Sequence, residues 1–167
     1  MKLVRNTIAV AALAFASSAA FAGPSPQTRD FEVSITLEND CEITFNNINH
    51  GTVTTLASNN DAASAGDNIT CSFADTYSIA LNVGTGGGTY GTRTLANGVN
   101  TLNFNVYSDA AHTTVWGDGS AGAPALVGTS TGGGTPNALT VYSRVLGGQT
   151  GKPEGTYSST ITATATF

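Results

Sequence analysis

Apolar residues in this chain recur at every second position, in short runs, and almost nowhere at helical spacing. After residue 22 no window sustains the i, i+3, i+4, i+7 pattern of an amphipathic helix. The period-2 runs fall at residues 41–45, 53–56, 69–73, 77–83, 102–107, 139–145 and 157–167. In the last, Tyr157, Ile161, Ala163, Ala165 and Phe167 alternate with serine and threonine. Residues 58–67, 84–90, 117–124 and 128–136 lie between these runs and are rich in Gly, Asn, Asp and Pro, which supply turn conformations. Many short strands punctuated in this way predict an antiparallel β-sandwich.

The first 22 residues have the form of a secretory signal. Lys2 and Arg5 supply the positive start, residues 8–15 the apolar centre, and Ala20-Phe21-Ala22 an A-x-A cleavage site. The apolar centre is too short to span a bilayer. The expected secreted chain starts at Gly23 and retains Arg29, Arg93, Arg144 and Lys152 against eleven acidic residues. Four scattered basic residues make no phosphate-binding patch, so nucleic acid is not expected as a partner.

An exported chain with two cysteines predicts one disulfide, Cys41 to Cys71. Cys41 is in phase with Ile43 and Phe45, and Cys71 with Ile69 and Phe73, which puts both thiols on the apolar side of their strands.

No catalytic or metal-binding constellation emerges, and no cofactor is expected. The glycine run at 84–91 lacks the Lys-Ser/Thr ending and the helix that a phosphate cradle needs, and reads as a mobile hairpin loop. Ser120 in Asp118-Gly119-Ser120-Ala121-Gly122 lacks the glycine two places ahead that a nucleophile elbow requires. His50 and His112 stand singly beside turns and read as solvated loop residues. With the cysteines they match no zinc spacing. Asp118 reads as a turn-stabilising carboxylate ahead of a calcium ligand. Trp116, the single tryptophan, reads as a core or loop-anchoring aromatic.

One segment stands apart. Phe31, Val33, Ile35 and Leu37 alternate strictly with Glu32, Ser34 and Thr36, ahead of the first cysteine. That is the period of a half-buried strand at the free amino end of the secreted chain. Such a strand either pairs within its own domain or serves another molecule.

Several pieces, taken in order, resemble the spore coat protein U domain family, which includes subunits of archaic chaperone–usher pili. They are Cys41 with the strand after it, Gly51, Ile69-Thr70-Cys71, the stretch 77–84, Arg93-Thr94-Leu95 and the stretch 102–109. Val115-Trp116-Gly117-Asp118-Gly119, the stretch 141–145 and Gly155-Thr156-Tyr157 follow. Position 143 is serine where the family often has glycine, with no functional consequence expected.

The resemblance implies an incomplete immunoglobulin-like β-sandwich, completed by a donor strand from a neighbouring subunit. It implies a non-enzymatic pilus subunit with a periplasmic chaperone, an outer-membrane usher, a tip adhesin subunit and identical subunits in a linear homopolymer as partners. The chain would be exported through the periplasm to the cell surface for adhesion and biofilm formation. Phe31, Val33, Ile35 and Leu37 would be the donor plugs. Their burial would contribute roughly 6–12 kcal/mol gross, much of it offset by ordering the strand. The expected organisation is a signal at 1–22, an extension carrying the donor strand at 23–38, and a sandwich domain at 39–167. A second, adhesive domain is not expected in a chain of this length. The rival readings are a spore- or cell-coat protein of the same fold and a self-contained, secreted carbohydrate-binding sandwich.

Overall fold

The computed structural model describes residue 23 and residues 25–167. The expected signal segment lies outside the described residues. The chain divides into two units, one ending at Thr36 and one running Leu37–Phe167. In the first unit the described residues form no helix or strand, and Phe31, Val33 and Ile35 are exposed.

The second unit is all-β, with every strand pair antiparallel. Its strands are β1 (Cys41–Thr44), β2 (Asn60–Ala63), β3 (Asp67–Cys71), β4 (Thr76–Leu81) and β5 (Arg93–Asn97). They continue with β6 (Asn100–Tyr107), β7 (Leu126–Thr129), β8 (Pro136–Leu139), β9 (Tyr142–Val145) and β10 (Ala163–Thr166). Three sheets run in the orders β1-β3-β8, β10-β4-β7 and β2-β9-β6-β5, which together make a sandwich. Apolar side chains turn inward at alternate positions, as with Ile69 and Cys71 of β3, Ile79 and Leu81 of β4, and Phe104 and Val106 of β6. Trp116 joins this core fully buried, its Nε1–H donating to Ile79 O at 2.8 Å.

The run at 139–145 proves to be two strands, because the chain changes sheets in the middle of it. Leu139 faces Asp67 in one sheet, while Tyr142 pairs with Ala63 and Tyr107 in another. β2 and β3 make the same change alongside, and a buried polar corner holds the crossing. Ser64 N–H donates to Val141 O at 2.9 Å, and Val141 N–H to Ser64 Oγ at 2.8 Å. The Ser64 hydroxyl also donates to the buried Asp67 carboxylate.

Three strands had no apolar signature. β2 is an edge strand of Asn, Asp and Ala, fastened by an Arg144–Asp61 ion pair at 2.7 Å. β5 turns an arginine inward. β7 carries Gly128, where an added Cβ would come within 2.4 Å of the Tyr77 hydroxyl oxygen. Conversely, the strand expected at 53–56 is irregular, with Val53 exposed.

Candidate strand-binding groove

Among the described residues β1 hydrogen-bonds only to β3 in the sheets, and β10 only to β4, so each presents an open edge. Upstream of β10, Ser158 exchanges backbone bonds with Ala96, Thr160 O accepts from Thr85 N, and Thr162 O accepts from Asn82 N. Those even-numbered peptide groups face the sheet. The intervening groups of Ser159 and Ile161 therefore face the other way, as alternation along a strand requires. Residues 43–57 line the groove on its other side.

Between the two walls lies an open groove of two adjoining chambers, with polar rims and an apolar floor. One, of about 1110 Å³, is lined by Ile48, Leu56, Leu95, Leu102, Val145 and Tyr157 among others. The other, of about 730 Å³, is lined by Ile43, Phe45, Phe104, Val106, Val141 and Ile161 among others. Ile48, His50, Leu95, Ser158 and Ser159 border both. The floor is thus the sandwich core itself, reached from outside. In a closed sandwich a strand would cover it.

Hydrogen bonds to the body of the sandwich brace both walls. The loop wall is tied at Asn46, whose N–H donates to Asp67 Oδ1 at 2.8 Å, and at Leu56, whose carbonyl accepts from Gly148 N. Between those ties, His50 Nδ1 lies 3.0 Å from Asn60 Oδ1, and its Nε2 lies 2.9 Å from Ser143 Oγ. His50 is therefore half-buried and engaged at both nitrogens, not a solvated loop residue. Ser143, which carried no expected consequence, is its partner.

The C-terminal wall is braced by the glycine loop, which is packed where a mobile hairpin was expected. Thr160 N–H donates to Thr85 Oγ1 at 2.9 Å, and Gly86 N–H to Ser159 Oγ at 3.0 Å. A Cβ on Gly86 would lie 1.8 Å from Thr94 O, so this approach requires glycine.

Beneath the loop sits Arg93, which the sequence offers only as one of four scattered basic residues and as part of the family resemblance. Arg93 is fully buried and, among the described residues, forms no ion pair with a carboxylate. Its guanidinium donates to Asn82 O (3.2 and 3.1 Å), Trp116 O (2.8 Å) and Asn105 Oδ1 (2.6 Å), and lies 5.1 Å from the Tyr90 ring centroid. Burial pushes its pKa below the ordinary value, while neighbouring Tyr90 and Asp118 oppose that shift. The available signal was phase: Arg93 alternates with Leu95, and the two face Phe104 and Leu102 across the hairpin.

The disulfide forms as expected between Cys41 and Cys71, directly opposite each other in the β1–β3 ladder. Phe73, expected to share the inward phase of Cys71, lies beyond the end of β3 and is 42% exposed. Of the remaining sequence candidates, Asp118 and Ser120 share an exposed turn, with Ser120 N–H donating to Asp118 Oδ1 at 3.0 Å. His112 packs edge-on against Tyr107 and Tyr142, its Nδ1 3.1 Å from Arg144 Nη2, and so is not a solvated loop residue either. Phe31, Val33, Ile35 and Leu37 are 86%, 84%, 84% and 68% exposed.

Comparison with known proteins places this architecture. One solved structure with the same fold is the chaperone–tip adhesion subunit pre-assembly complex CsuC–CsuE from the archaic chaperone–usher Csu pili of Acinetobacter baumannii. The likeness has a TM-score of 0.54 at 20% identity and takes in 79% of this chain. It covers 40% of the matched chain, less than half of that protein's length. Among curated proteins none matches this chain. The sequence profile of the Spore Coat Protein U domain matches residues 27–164. That span takes in the exposed alternating segment, both cysteines and nearly all of the groove-bearing sandwich, and the chain belongs to the Spore Coat Protein U domain family.

Proposed function

We propose that this chain is a structural subunit of an archaic chaperone–usher pilus, polymerising by donor-strand exchange. The observation that carries the reading is a complementarity. A groove with an apolar floor, flanked by two unpaired strand edges, occurs in a chain whose amino-terminal segment exposes four apolar side chains at strand spacing. Adding a strand satisfies both edges with main-chain hydrogen bonds and fills the chambers with alternate side chains. The donor is the segment carrying Phe31, Val33, Ile35 and Leu37 from an identical subunit, giving a linear homopolymer. A periplasmic chaperone covers the groove before assembly, and an outer-membrane usher and a tip adhesin subunit complete the route to the cell surface, for adhesion and biofilm formation. No enzymatic step enters this function.

The physical case rests on burial. Four such side chains contribute roughly 6–12 kcal/mol gross; ordering the strand offsets much of that, so the main-chain hydrogen bonds to both edges share in holding the joint. Deleting residues 23–38 tests the donor role. The truncated chain should yield no fibres by electron microscopy, and fibres of normal length would refute the reading.

A second reading is a coat protein of the same fold, which the family's description as a spore coat domain favours. It requires no neighbouring chaperone and usher genes, so their presence beside this gene decides against it.

A further inference from the structure

We propose that His50 is the positioning residue of the groove, holding residues 46–56 off the C-terminal strand so that the groove stands open before a strand enters. The inference rests on the donor-strand reading. The loop wall has no ladder of its own: between the ties at Asn46 and Leu56, it is joined to the sandwich through His50, Asn60 and Ser143. Ser143 is buried on β9, 93 residues away in sequence, and Asn60 lies on neighbouring β2.

The hydrogen-bond directions are determined by the contacts. Asn60 Nδ2–H donates to His50 O at 3.2 Å, which turns Asn60 Oδ1 toward the ring. In the neutral ring Nδ1–H therefore donates to Oδ1, and Nε2 accepts from the Ser143 hydroxyl. Both ring nitrogens are satisfied inside the subunit, so a strand covering the ring strands no polar atom. His50 also borders both chambers, and its position sets the clearance between Ile48 on one wall and Leu95, Ser158 and Ser159 on the other side. Ile48 and Leu56 already pack partly against the core; without the staple the wall that carries them is free to close further over the groove, because apolar surface is driven from water.

The test is capture of a labelled synthetic peptide of residues 29–38 by the full secreted chain, with entry and escape rates measured separately. His50→Leu should slow entry about tenfold, as expected for losing roughly one to two net hydrogen bonds that preorganise the wall. Escape from the filled groove should change little. His50→Gln should restore entry, since its amide can donate to Asn60 and accept from Ser143. Ser143→Ala, a milder change, should give an intermediate rate, and amide exchange should quicken over residues 46–56 in both slow variants. Unchanged entry in His50→Leu and Ser143→Ala overturns the proposal while leaving the donor-strand reading intact. So does equal loss through faster escape alone. If the unaltered chain fails to capture the peptide, or captures one carrying Val33→Asp and Ile35→Asp equally well, both readings fall together.

Discussion

Phe45 and Trp116 meet edge to face, with ring centroids 6.1 Å apart and planes inclined by 66°. Phe45 lines the groove and Trp116 is fully buried, so this contact joins the groove to the sandwich core. Trp116→Ala should therefore cost about 3–5 kcal/mol, the range for losing a large buried aromatic. Chemical denaturation read by far-ultraviolet circular dichroism checks this. Trp116→Phe, which loses mainly the bond to Ile79 O, should cost nearer 1 kcal/mol.

Arg93 holds three otherwise separate segments through Asn82, Asn105 and Trp116. Arg93→Ala leaves buried acceptors unpaired and should destabilise the domain by about 3–5 kcal/mol. Arg93→Lys should recover only part of that, because an ammonium cannot reproduce the planar fork. Melting temperatures of the three proteins give the order.

Cys41 and Cys71 close a span of 30 residues. Replacing both by serine should remove ~3–4 kcal/mol in the chain-entropy account. The loss should appear as a lower denaturation midpoint with the strand content of the folded protein intact.

Asp109 accepts from the backbone N–H groups of Thr113 and Thr114, and these bonds, that of Thr113 first, lower its pKa to about 2. Asp61 is shifted in the same direction by its hydrogen bond to Arg144. A folded-state pKa below the unfolded value of ~3.9 stabilises the protein above that value and is lost as pH falls through the folded one. The loop at 109–114 should thus loosen between about pH 4 and pH 2. Protection of the Thr113 and Thr114 amides relative to their intrinsic exchange at each pH reads this, and Asp109→Asn should abolish the change in protection.

Val33→Asp with Ile35→Asp places two carboxylates on the face that the donor role buries. Assembly should stop while the chaperone-bound monomer accumulates, because burying unpaired charge costs more than the strand's apolar contacts return. Normal fibres on electron micrographs would be the contrary outcome.

The alternation of apolar residues by itself determined the fold class, because a side-chain period of two admits strands and rules out helices. It also located β1, β3, β4 and β6 within a few residues, and the phase of both cysteines. It could not reveal β2, β5 and β7. An edge strand of Asn, Asp and Ala, a strand with an inward arginine and one broken by glycine owe their pairing to neighbours distant in sequence. The split between β8 and β9 is likewise a tertiary event: the run stays apolar while its hydrogen bonds pass from one sheet to another. The groove was decided wholly by the tertiary structure. A missing strand leaves no mark in the residues around the gap, since Ile43, Phe45, Ile48 and Ile161 read as ordinary core positions. Only the placement of β1 and β10 as unpaired edges shows that this part of the core is open.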